Sequence, residues 1–304
     1  MSSIFKYFGN SVVDLVFDRE GYCGLKCSYP KDYNDPYELF LAVDFNMEPN
    51  LLAFYNDVVN NVRQRPTTCF SNSPVVTPMW AHYGGNHTGF AIEFDLETMQ
   101  KTFDGCPIWD VDYKDEQDNN LYHMIQRAAG TLKPRHSMML SRAAFQLAYF
   151  TKYTQWQYEN EVRFVDTLKV TETVDGHIIL YVPYECIKSI ICGYNASEEL
   201  VSKTKEIAEN KFLWYKLIIG KSNPLPFFKD ANNVSYIFKD GGVINSENIC
   251  DDCGEPLLTE ESSLCPWCKI TEEDQYEAQA GNPLRMLDSM GALDSYARSW
   301  STKK

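Results

Sequence analysis

Along "GFAIEFD" hydrophobic and polar positions alternate, with Phe90, Ile92 and Phe94 on one side and Ala91, Glu93 and Asp95 on the other. A period of two predicts a strand. Short strands are also predicted for "SIFKYFG", "GLKCSYP", "TTCFSN", "PIWDVDY", "HIILYVP", "IKSIICGY" and "FLWYKLIIG". "NSVVDLVFDRE" has helical character, and so does "PNLLAFYNDVVNNVRQR", which opens on a proline start signal. Residues 119–153 carry a longer helical pattern, broken at "GTLKPRH" by Gly130 and Pro134. Another helix is predicted from Ser197 to Asn210. Strands and helices mix without strict alternation, so the expected class is α+β with a mixed, largely antiparallel sheet.

The stretch "QWQYENEVRF" is unusual. Glu159, Glu161 and Arg163 recur at every second place, and Tyr158, Val162 and Phe164 fill alternate places, with Asn160 the exception. Read as a strand, this puts two carboxylates and a guanidinium on one face. Towards the C-terminus, "KDGGVINSENI" reads as a linker. We therefore divide the chain into a main domain at 1–242, a four-cysteine module at 243–270 and a tail at 271–304.

Composition narrows the class. The 304 residues are 44% hydrophobic, which suffices for a buried core and excludes a disordered chain. No apolar run reaches the roughly 18 residues of a membrane span. The first residues lack a basic segment followed by an apolar one, so we expect a soluble cytoplasmic protein without a membrane partner. A formal net charge of −14 argues against a broadly basic nucleic-acid surface. It leaves room for a local basic groove and is compatible with an acidic toxin or enzyme held by a basic partner.

Cys23, Cys27, Cys69, Cys106, Cys186 and Cys192 are scattered singly and read as small buried hydrophobes. The other four cysteines differ. "CDDCGEPLLTEESSLCPWC" sets Cys250 and Cys253 against Cys265 and Cys268, two C-x-x-C knuckles with 11 residues between them. Two such pairs complete a tetrahedron around zinc and leave no open position, so the metal is expected to be structural. A zinc ribbon this small is expected to fold only with its metal. Beyond it, Leu284, Met286, Leu287, Met290, Leu293 and Tyr296 have the spacing of an amphipathic helix. That helix either packs on the body or docks a partner.

Two polar constellations remain. Asn34, Asp35, Pro36 and Glu38 form a turn signal. In "MWAHYGGNHTGFAIEFD", Trp80, His82, Tyr83 and His87 crowd before a strand around Gly84 and Gly85. His82 and His87 lack a third ligand at suitable spacing for a metal. A histidine and a tyrosine beside a glycine turn are better suited to holding a ligand by stacking and hydrogen bonds.

"YPKDYNDPYE", "MWAHYGGNHTGFAIEFD", "QWQYENEVRF" and "IKSIICG", in that order, resemble the bacterial domain-of-unknown-function family 2971 from about Phe5 to Gly193. The zinc ribbon lies outside that pattern. "YENEVRF" is more distantly similar to the Gln/Glu-x-Glu stretch of ADP-ribosyltransferases, with "FKYFG" and "WAHYGG" as counterparts of their other motifs. Those two depart from the usual Arg…Ser-Thr-Ser or His…Tyr spellings. This resemblance implies an ADP-ribosyltransferase-like fold and NAD as substrate. It implies that Glu161 stabilises the oxocarbenium-like state through the ribose and that Glu159 orients or deprotonates the acceptor. Arg163 would pair with the pyrophosphate or hold the carboxylates. Trp80 and Tyr83 would sandwich nicotinamide, with Tyr7 and His82 as further NAD contacts. It also implies a toxin–antitoxin or anti-phage setting, an RNA, DNA or protein acceptor, and an antitoxin or chaperone as partner. Two other classes stay open. One is a nuclease binding a divalent metal through Asp35, Glu38, Glu159 and Glu161, and the other is a non-enzymatic partner-binding module.

Overall fold

A computed structural model describes residues 2–33, 47–61, 63–115, 119–257 and 262–301. The strands are β1 (Ser3–Phe8), β2 (Tyr22–Cys27), β3 (Thr67–Ser71), β4 (Phe90–Asp95), β5 (Ile108–Asp110), β6 (Asp112–Tyr113), β7 (Thr151–Lys152) and β8 (Glu161–Val165). They continue as β9 (Glu172–Val174), β10 (His177–Pro183), β11 (Ile187–Cys192), β12 (Leu213–Ile218), β13 (Phe227–Lys229), β14 (Ser235–Lys239) and β15 (Gly242–Asn245). The helices are α1 (Val13–Val16), α2 (Pro49–Asn60), α3 (Thr77–His82), α4 (Leu96–Thr102), α5 (Asn119–Thr131), α6 (Pro134–Phe150) and α7 (Glu198–Ala208), followed by α8 (Glu272–Ala280), α9 (Pro283–Ser289) and α10 (Leu293–Ser301).

Ten strands form one sheet in the order β15-β14-β13-β12-β11-β4-β1-β3-β8-β5. Its pairings are antiparallel except β11 with β12, which α7 connects as a crossover. The expected mixed, largely antiparallel α+β class is observed. One face carries Ile4, Phe70, Ile92, Phe94, Val162 and Phe164. It packs on Leu25 and Leu180 of the small β2-β10-β9 sheet and on Met99 of α4. The other face carries Phe5, Tyr7, Ala91 and Ile191 against Met79 and Trp80 of α3. Burial on both sides explains why Ala91 and Glu93, read as one side of an alternating strand, are as buried as Phe90 and Ile92. A third cluster joins α2, α5 and α6 through Val58, Ile125, Leu140 and Ala144.

The break between α5 and α6 falls where Gly130 and Pro134 placed it, with Leu132 at φ 51° and Pro134 opening α6. The linker reading is corrected. "KDGGVIN" is the β14–β15 hairpin, turning through Asp240 and Gly241 at φ 51° and 78°. The main sheet therefore runs past residue 242. The tail helix expected through Leu284 and Tyr296 is two helices, α9 and α10, with Gly291 at φ 66° between them.

Candidate functional site

The three charges of "QWQYENEVRF" converge, Glu161 and Arg163 by alternation along one strand and Glu159 from outside it. Thr154–Glu159 is a 3-10 helix, Asn160 is left-handed at φ 43° and ψ 53°, and only Glu161 begins the strand. Register carries Phe5 opposite Ser71 and Ser71 opposite Glu161, so Glu161 and Arg163 share the sheet face of Phe5 and Tyr7. The left-handed residue brings Glu159 back towards them.

Lys152, at the end of β7, joins the two carboxylates. Its Nζ donates to Glu159 Oε2 at 2.6 Å and to Glu161 Oε2 at 3.1 Å. Arg163 donates from Nε to Glu161 Oε1 at 2.6 Å and from its terminal nitrogen to Oε2 at 3.0 Å, a bidentate pair. Its other nitrogen donates to the Tyr149 carbonyl. The Tyr83 hydroxyl donates to Glu159 Oε1 at 2.7 Å, and the Glu161 backbone N–H donates to the Tyr113 hydroxyl at 2.8 Å. Two carboxylates and two cations give zero net charge, which is how such a group tolerates burial. Glu159 is 3% exposed, Glu161 4% and Arg163 0%.

The two carboxyls experience different surroundings. Burial raises the Glu159 carboxyl above its ordinary range, and Lys152 only partly opposes this. Burial also penalises Glu161, but Arg163 and then Lys152 outweigh it and hold the carboxyl at about 2. Arg163 and Lys152 thus favour the ionised form of Glu161 while burial disfavours that of Glu159, a split of the kind expected of an acid–base pair. Desolvation lowers the Lys152 ammonium, yet Glu161 and Glu159 together raise it, so it stays charged. Burial, then Glu159, pushes the Tyr83 phenol up.

Above Glu159 the surface is aromatic. His82 lies 6.4 Å from the Tyr83 ring and 6.3 Å from Tyr158, and Trp156 lies 6.2 Å from Tyr158. Lys152 Nζ sits 4.7 Å from the Trp156 ring centre. His82 and Tyr83 are exposed, while Trp156 and Tyr158 are half-buried. Such a rim accepts a flat or cationic ring.

Other expected site residues are placed differently. Trp80 is 0% exposed, donates to the Pro74 carbonyl and packs edge-on against Tyr7. Tyr7 is buried and donates to the Ser73 carbonyl. Both are core, because β1 turns Tyr7 to the sheet face onto which α3 packs Trp80; they support the rim and do not face a ligand. Gly84 is required here, since a Cβ at that position would stand 2.7 Å from the Trp80 ring. Arg163 holds Glu161 and is closed to a pyrophosphate. His87 turns away onto Tyr194 at 5.0 Å, so the two histidines do not meet. Asn34, Asp35, Pro36 and Glu38 lie outside the described residues, while Tyr33 before them sets its ring 5.6 Å from the Arg163 guanidinium. Lys152, Tyr113, Trp156 and Tyr158 were not singled out from sequence as parts of the site. A cavity of about 640 Å³ lies elsewhere, on the Val162 side of β8, between Leu96 and Gln100 of α4, Trp109 of β5, Met124 of α5 and Leu147 of α6.

The four cysteines of the C-terminal module converge, with all sulfurs within 4.8 Å of one another. Sulfurs about 2.3 Å from a tetrahedral zinc stand roughly 3.8 Å apart, and Cys253 and Cys265 are 3.8 Å apart. Backbone N–H groups of Cys265 and Cys268 donate to the sulfurs of Cys250 and Cys265. The donor set therefore fits a zinc ion with no coordination position left over. Among the described residues no other group of three or more His, Cys, Asp or Glu is placed to hold a metal. The six scattered cysteines are unpaired, and all but the half-buried Cys69 are buried.

The module is bonded to the sheet. Glu255 accepts from the backbone N–H groups of Lys221 and Ser222, Lys229 donates to the Cys253 carbonyl, Ser235 to the Gly254 carbonyl and Trp267 to the Lys221 carbonyl. The tail beyond it is not packed on the body. Tyr276 is 74% exposed and Met290 77%. No helix among the described residues is long and apolar enough to cross a membrane.

No curated protein and no solved structure matches the chain. Residues 79–164 match the family described as protein of unknown function (DUF2971), a stretch that opens within α3 and closes within β8 and so carries Tyr83, Tyr113, Lys152, Glu159, Glu161 and Arg163 together.

Proposed function

We propose that the chain is an NAD-dependent ADP-ribosyltransferase whose site is the Glu159–Glu161 pair beneath the aromatic rim. The observation that carries this reading is the asymmetric pair: Lys152 bridges two carboxyls, one gripped by the Arg163 fork and the other by the Tyr83 hydroxyl. Cleavage of the ribose–nicotinamide bond develops positive charge on the sugar, and a fixed anion nearby favours it. Attack by the acceptor as that bond breaks needs a base, and a carboxyl raised above its ordinary range is matched to that task. His82, Tyr83, Tyr158 and Trp156 would receive the nicotinamide ring. This replaces Trp80 and Tyr7, which lie beneath the surface, and leaves Arg163 as the anchor of Glu161.

The metal-dependent nuclease is less well supported. Lys152 and Arg163 already neutralise Glu159 and Glu161, so the pair offers a divalent cation no net charge. The exposed apolar residues of α9 and α10 suit partner docking within an effector of a toxin–antitoxin or anti-phage system. The acceptor would be RNA, DNA or protein, with zinc in the four-cysteine module as a structural ion.

The test is incubation of the full chain with labelled NAD and cell extract, followed by separate protease and nuclease digestion of the product. Label retained in macromolecules and released by one of the two digestions is expected. No macromolecular label and no free nicotinamide would reject the reading.

A further inference from the structure

Glu159 is hydrogen-bonded by two side chains, Tyr83 and Lys152. Lys152 is buried, whereas Tyr83 is 36% exposed. Glu159 itself has little free surface, and each of its oxygens is engaged, Oε1 by Tyr83 and Oε2 by Lys152. A ligand approaching this carboxylate meets the phenol first. Glu161 is not an alternative proton acceptor, because Arg163 and Lys152 hold both of its oxygens.

Resting on the transfer reading above, we infer that Tyr83 is a catalytic proton-transfer residue: its hydroxyl takes the acceptor's proton while passing its own to Glu159. The balance is as follows. The acceptor's bond to hydrogen breaks, and its electron pair forms the bond to the ribose anomeric carbon. The carbon–nitrogen bond to the pyridinium breaks, and that pair leaves with neutral nicotinamide. The acceptor's proton ends on Tyr83 Oη and the former Tyr83 proton on Glu159 Oε1. One positive charge on NAD and one negative charge on Glu159 disappear together. Lys152 is a positioning residue, holding Glu159 in line with Tyr83 and tying it to Glu161. The phenol holds its own proton too tightly to act as a free base, since burial and Glu159 push it up. It relays only because a carboxylate stands behind it at 2.7 Å. The titratable groups around Glu159 are Tyr83, Tyr158, Tyr113, Lys152 and Glu161, and all but Tyr83 stay unchanged in the key variant.

The experiment uses the full chain with NAD alone, water serving as acceptor, and follows nicotinamide release in a single turnover. Tyr83→Phe keeps the ring and removes the relay. It and Glu159→Gln should each slow release on the order of a hundredfold at saturating NAD. The double variant should be no slower than the worse single, because the two groups act as one unit. A second readout needs no activity: by carboxyl carbon-13 NMR, Tyr83→Phe should move the Glu159 titration upward and leave Glu161 in place. Wild-type release by Tyr83→Phe beside an impaired Glu159→Gln overturns the relay and leaves the transfer reading standing, and so do losses that multiply in the double variant. An unmoved Glu159 titration shows the hydrogen bond to be absent and also overturns the relay. A wild-type chain that neither binds nor cleaves NAD overturns the transfer reading and the relay with it.

Discussion

The cluster around β8 and the four-cysteine module both crowd ionisable groups together, and they solve the same electrostatic problem oppositely. Around β8 the chain supplies both signs, two carboxylates and two cations. In the module it supplies only thiols, four of them within 4.8 Å, so the compensating charge must come from outside. The first arrangement is complete when the chain folds. The second is complete only with an ion. A defect should therefore be answered locally by protonation in the first case and by loss of structure in the second.

The largest expected effect is metal removal. A chelator, or Cys253→Ser, should unfold the module, since structural zinc contributes on the order of 10 kcal/mol in small domains. Glu255, Lys229 and Trp267 bond the module to the sheet, so the main thermal transition should fall as well. Two independent transitions by calorimetry would show that these bonds carry no coupling. Next, Arg163→Met should destabilise by about 3–5 kcal/mol, the cost of removing one partner from a buried pair. Urea unfolding measures it, and a loss under ~1 kcal/mol would place Arg163 outside the buried pair.

A smaller effect comes from pH. The folded Glu161 carboxyl, at about 2, is depressed from 4.5. Its stabilisation is complete above the unfolded value and is lost as pH falls through the window from 4.5 to about 2. Glu159 has the opposite sign. Its raised carboxyl favours the fold below the unfolded value, and that contribution fades as pH rises through its folded value. Stability should therefore rise as pH falls towards 4.5 and drop below it, and Glu159→Gln should remove the rise while leaving the drop. The smallest effect is removal of the tail after residue 270. Exposed as Met290 and Tyr276 are, its loss should change stability by no more than about 0.5 kcal/mol. A larger fall in melting would show that the tail packs on the body in solution.

How much could be read from the sequence depended on the range of the interaction. Clean alternation in "GFAIEFD" and the Gly130–Pro134 break are local signals, and both elements formed where expected. The paired C-x-x-C spacing is a local signal of the same kind. Lys152 was missed because its bonds to Glu159 and Glu161 depend on an intervening 3-10 turn, which no hydrophobic period announces. Trp80 and Tyr7 were misread because an aromatic beside a polar motif has the same letters whether it faces the sheet or the solvent. The β14–β15 hairpin did leave a trace, since Asp240-Gly241 is the dipeptide a tight two-residue turn prefers. The surrounding glycine and polar residues masked it as a linker.

Asn160 gives the Glu-x-Glu pattern a different geometric meaning. In a strand, the middle residue is a spacer whose identity hardly matters. Here it is an elbow at φ 43°, and the two glutamates grip Lys152 as the jaws of a pincer. Left-handed backbone is open to glycine and, among other residues, mainly to asparagine and aspartate. A chain carrying valine or isoleucine between the two acids would spell the same motif and splay the jaws apart. The middle letter therefore separates chains that build this pincer from chains that merely contain two acids on a strand.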